Sequence, residues 1–139
     1  MAEDRVVWID RGWQPVAIGF CPNRKAWERE ARRLNIASQY PEAANKGGHT
    51  EMSVNDKTGV AIIIVTVFDG GDRDAHELIM TIVHEAVHVW QFICQHIGES
   101  DPGIEVEAYS IERIAHNLIE AYTKSRGKGR EWFGEGNDA

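Results

Sequence analysis

The stretch from Ala75 to Ile97 constrains the chain most, because it reads as one long helix with almost no solvated face. Ile79, Ile82, Val83, Ala86, Val89, Trp90, Ile93 and Ile97 cover most of the helical circumference. Against them runs one narrow polar line of Glu77, Thr81, His84, His88, Gln91 and Gln95, in steps of three and four, so these residues share a face. A helix of this kind belongs in a core and borders an internal cleft. Burying ionisable groups without partners costs several kcal/mol each, on the order of ~2–7 kcal/mol. A metal ion is the most economical compensation for His84, Glu85 and His88.

His84 and His88 lie one turn apart, so both imidazoles can reach a single ion at about 2.0–2.1 Å, the Zn–N distance. Glu85 is offset round the helix, where it reaches a water on that ion and acts as general base; this is the chemistry of the H-E-x-x-H pattern. A catalytic zinc takes three protein ligands and leaves one position open. His96, eight residues past His88, does not fit a third-histidine spacing. The next helix supplies acids instead. Its apolar stripe is Ile104, Ala108, Ile111, Ala115, Leu118 and Tyr122. Glu107 falls inside that stripe, where an acid needs a buried partner. It is the first choice for third ligand, ahead of Glu112 and then Glu105; a salt bridge to Arg113 or Arg5 is the bland alternative.

The rest of the chain frames this pair of helices. VVWID and PVAIGF read as short strands, and Asn23 caps a helix from Arg24 to about Leu34 whose outer face is densely charged. Residues Ala37 to Gly48 carry loop signals. HTEMSVN (His49–Asn55) and GVAIIIVTVF (Gly59–Phe68) read as a hairpin, the second strand apolar enough to be covered on both faces. DGGDRD (Asp69–Asp74) breaks the chain and supplies an N-cap for the long helix, and Gly98 ends it. Asp101 and Pro102 open the following helix, expected to run to about Tyr122. The order predicts one α+β domain over residues 1–123, a small antiparallel sheet packed on the two helices, with 124–139 as a flexible, charged, Gly-rich tail.

Length and composition agree with a single core: 139 residues, 42% hydrophobic, 27% charged. The net charge of −7 makes nucleic acid an unexpected partner. No segment approaches a membrane span, and MAEDRVVWID has acids where a signal peptide needs bases, so a cytoplasmic location is expected. Cys21 and Cys94 do not make a disulfide framework and are expected as buried free thiols.

TIVHEAVHVW resembles the extended signature of zinc metallopeptidases, and a glutamate on a following helix, 19 residues after His88, resembles the gluzincin branch of the zincins. The resemblance implies Zn2+ held by His84, His88 and Glu107, with Glu85 as the catalytic base, in a minimal zincin-like domain that hydrolyses a peptide or isopeptide amide. Candidate transition-state donors are Tyr109, His116, His49 and Arg113. An extended substrate is expected to add to a strand beside the motif helix, either GVAIIIVTVF or HTEMSVN. Where gluzincins often carry an acid four residues after the ligand, this chain has Ile111, so the second shell is expected from Glu112 or a backbone carbonyl. GFCPNRKAW, HEAVHVWQ, IGE and EVEAYSIERIAHNLIEAY together are similar to small uncharacterised phage and prophage proteins, which implies host cytoplasm. A zincin-like binding protein of phage origin, an inhibitor or structural component with a non-catalytic zinc, is the competing expectation.

Overall fold

β-Branched residues crowd the segment Ala61–Val67, and it becomes one of the two interior strands of a four-stranded sheet. A computed structural model describes residues 4–9, 12–41, 47–70 and 73–126. Its strands are β1 (Val7–Trp8), β2 (Ala17–Cys21), β3 (Gly48–Val54) and β4 (Ala61–Val67); its helices are α1 (Arg24–Leu34), α2 (Ala75–Ile97) and α3 (Ile104–Ser125). The fold class is α+β.

The sheet order is β1-β2-β4-β3. β1 with β2 and β3 with β4 are antiparallel, but β2 and β4 run parallel, Ala17 opposite Ile62 through Cys21 opposite Thr66. The sheet is therefore mixed, not antiparallel as expected. The cause is topological: α1 carries the chain over one face to the far edge, and the hairpin returns β4 between β3 and β2. Gly59, at φ +74°, makes the tight return that a side chain would strain.

Alternation along the strands sorts two cores. Val16, Ile18, Phe20, Ala61, Ile63, Val65 and Val67 face α2 and α3. Cys21 and Ile64 face α1, where they meet Ala26 and Trp27. Asn23 caps α1 by accepting from the Ala26 amide, and Asp74 caps α2 by accepting from Glu77. Gly98 ends α2 in the left-handed region.

α3 departs from expectation at both ends. Its N-cap is Gly103, not Asp101, with Pro102 just outside the helix. Glu99 accepts from the Asp101 amide and turns the chain first. The helix also passes the expected domain limit at residue 123. Ser125 is buried, and Arg126 Nε donates to Asp69 Oδ2 at 2.8 Å while Tyr122 donates to the same oxygen at 2.6 Å. The rest of the expected tail, 127–139, lies outside the described residues. Burial along α3 is uneven. Ile114, Leu118, Ala121 and Tyr122 are buried, whereas Ile104 is 84% and Tyr109 66% exposed. Among the described residues no helix is long and apolar enough to cross a membrane.

Candidate metal centre

α2 lies beside the edge strand β3, and Glu77, Thr81 and His84 of its polar line border a cleft there. His84 Nε2 and His88 Nε2 are 3.2 Å apart, with the rings nearly perpendicular. Two ligands held about 2.0–2.1 Å from a tetrahedral zinc stand roughly 3.3–3.4 Å from each other. The pair thus has the separation that one shared cation requires. His88 Nδ1 lies 2.9 Å from Gln91 Oε1, one turn on. With that oxygen accepting, the His88 proton sits on Nδ1 and the Nε2 lone pair is free to ligate.

Glu85 is 5% exposed and turned from the two histidines toward the sheet. The Thr50 hydroxyl donates to its Oε1 at 2.6 Å. Gly48, two residues earlier on the same face of β3, lets the carboxylate approach the backbone. A Cβ there would stand 3.0 Å from Glu85 Oε2 and 2.9 Å from the Thr66 carbonyl oxygen. A cleft of about 460 Å³ runs past Gly47, Gly48, Thr81, His84 and Glu85. Arg73 closes one end. Its guanidinium donates to the carbonyls of Gly47 at 3.0 Å and Phe68 at 2.8 Å, and to the Thr81 hydroxyl. It ties the start of β3, the end of β4 and the first turns of α2 together.

Glu107 stands at the level of Trp90, whose indole N–H donates to its Oε2 at 2.9 Å. The expected alternative partners, Arg113 and Arg5, do not engage it. Glu105 and Glu112 are exposed. Among the described residues no three His, Cys, Asp or Glu side chains are gathered as a complete ligand set. His84 and His88 thus meet at their Nε2 atoms, Glu85 turns to Thr50 and the sheet, and Glu107 is held on the Trp90 side of α2.

The expected donors lie elsewhere. Tyr109, Arg113 and His116 line a separate cavity of about 660 Å³ with Trp13, Trp90 and Ile18. His116 pairs loosely with Glu120 at 4.0 Å. His49 is cross-strand from Thr66, on the α1 face of the sheet, and meets Glu51 at 3.2 Å. It points away from Glu85 because neighbouring strand residues alternate faces. Cys21, expected as a buried free thiol, is fully buried on that same α1 face. Burial pushes its thiol up to about 12. Cys94 is buried too, and its thiol is also raised by burial.

Comparison with family models, curated proteins and solved structures gives no match for this chain. The functional reading rests on the residues themselves.

Three residues at the site escaped the sequence reading. Gln91 was visible in the polar line, but its bond to His88 needed the helix rotation. Thr50 and Arg73 carried no local signal, since both act across elements distant in sequence.

Proposed function

We propose that the chain is a zinc-dependent hydrolase of metallopeptidase type, acting on a peptide or isopeptide amide. The observation that carries this reading is the 3.2 Å separation of the two imidazole Nε2 atoms, one of them backed by Gln91, with Glu85 on the next residue. His84 and His88 would hold zinc, with Glu107 as the third ligand; the Trp90 N–H on its Oε2 is the kind of outer hydrogen bond that orients a ligating carboxylate. Bound there, zinc would acidify a water and polarise the amide carbonyl. Glu85 would take the proton from that water and return it to the leaving nitrogen. Thr50 holds one oxygen of Glu85 against the sheet, and for this transfer the carboxylate would swing back toward the histidines.

The substrate mode follows from the sheet order. β4 is paired on both sides, so its backbone groups are already used. Among the described residues β3 is paired only with β4, and an extended peptide would add along its other side, beside α2.

One observation favours a second reading, a zincin-like binding protein: the described residues gather no complete three-donor set. Elemental analysis of protein purified without added metal separates the two. Wild type should carry about one zinc per chain and Glu107→Gln much less, and a peptide library should be cleaved by wild type but not by Glu85→Gln. No zinc even after zinc is offered would overturn the metalloenzyme. Full retention by Glu107→Gln would move the third ligand to Glu112 or Glu105. Zinc without cleavage would leave the binding protein.

A further inference from the structure

We propose that the outward face of α1 is a docking surface for a short acidic segment of a partner protein. This surface lies on the opposite side of the sheet from His84 and His88, and the proposal does not depend on zinc.

α1 concentrates charge of the wrong sign for this chain. It holds five of the 15 Lys and Arg residues and two of the 22 Asp and Glu, giving net +3 in a protein of net −7. Arg24 pairs with Glu28 at 4.0 Å, and Arg33 with Glu30. Lys25, Arg29 and Arg32 are exposed, and among the described residues none of them has an acidic partner. Their spacing of four and three puts them on one line, about 10 Å long at the helical rise.

Helix stability accounts for Arg32 but not for the N-terminal end of this line. Cations favour the C-terminal end of a helix, where Arg32 and Arg33 sit. Arg24 and Lys25 occupy the first turn, which has no acid and faces the positive end of the macrodipole. The positions that disfavour a cation are therefore filled by cations.

A groove of about 510 Å³ adjoins the line, between α1 and residues 35–40; Arg24, Arg32, Asn35, Gln39 and Tyr40 stand on its walls, with Glu28, the acid paired to Arg24. Arg24 lies over the Tyr40 ring at 4.8 Å. The groove gives one side chain of the segment a seat beside the charges. The extent of the basic surface selects the partner class. Eleven residues of helix span about 16 Å, less than half of one duplex turn of about 34 Å. A nucleic acid would run past α1 into the field of a surface that is otherwise negative. A peptide with three or four acids covers the line and no more.

The test is an NMR titration of the full chain with octaglutamate, beside a single-stranded oligonucleotide and a duplex of similar charge. Amide shifts should concentrate in residues 24–40, and binding should weaken as salt rises. Lys25→Glu/Arg29→Glu/Arg32→Glu should lose at least about tenfold in affinity, while Lys57→Glu, in the β3–β4 turn, should not. A neutral triple, with Gln at the same three positions, guards against misfolding of the reversed one; circular dichroism checks both. Undetectable peptide binding by wild type, shifts outside residues 24–40, or unchanged affinity in both folded triples would overturn the proposal. Tighter binding of either oligonucleotide than of the peptide would overturn it in favour of a nucleic-acid surface.

Discussion

Thr50 reaches from the edge strand to Glu85 on the motif helix, its hydroxyl 2.6 Å from Oε1. The two residues are 35 positions apart, and the bond joins the edge strand beside the cleft to the helix that carries both histidines. Thr50→Val keeps the shape and removes the donor from a buried acid. It should destabilise the fold by about 1–3 kcal/mol, read as a fall in the urea midpoint. Thr50→Ser, which keeps the hydroxyl, should recover most of that loss. Equal losses in the two variants would mean that packing, not the hydrogen bond, holds the contact.

Gly48 is a position of close approach, not of special backbone angle. An alanine there would press on the Thr66 carbonyl as well as on Glu85, and backbone cannot yield as a side chain does. Overpacking of this sort costs about 1–3 kcal/mol. Thermal unfolding of Gly48→Ala should show a lower midpoint than wild type. Adding Glu85→Ala should relieve only the part of the strain that the carboxylate causes.

Gln91 tests the histidine pair without touching it. If its amide oxygen fixes the His88 proton on Nδ1, Gln91→Ala should weaken zinc binding about 10–100-fold, measured by competition with a chelating dye. The stability of the chelated protein should barely change, since Gln91 is exposed. Unaltered zinc affinity would remove Gln91 from any role at the centre.

Cys21 should be silent to thiol reagents in the native state. Its thiol is raised from 9.0 to about 12, first by burial. Because the folded value lies above the unfolded one, the native state holds the proton longer. The contribution is fully present below pH 9 and is lost as pH rises toward 12, at about 1.4 kcal/mol per pH unit. Denaturation between pH 8 and pH 11 should show this decline, and Cys21→Ala should flatten it at lower absolute stability.

Regular elements were legible because each was marked locally. Asn23, Asp74 and Gly98 stand where capping chemistry wants them, and the period of α2 is unbroken over its length. The parallel pairing of β2 with β4 was not legible, since nothing in either strand states which neighbour the hairpin returns to. At the site, His84, Glu85 and His88 were readable from helical spacing alone. Glu107 was marked as an acid in need of a partner, and the group that meets it is the Trp90 indole, two residues beyond the second histidine on another face of α2. His49 failed for the simplest reason: which face a strand residue takes is set by register, and its register turns it toward α1.

The uneven burial of α3 makes it one helix with two lifetimes. Its second half is packed under the sheet and pinned through Tyr122 and Arg126 to Asp69, so those amides should exchange only when the whole molecule opens. Its first half, from Ile104, rests mainly on α2 and should open and close by itself. Glu107 rides on that half. Whatever engages its carboxylate would act as a clasp, and would announce itself first as slower exchange across residues 104–111, before any change in global stability.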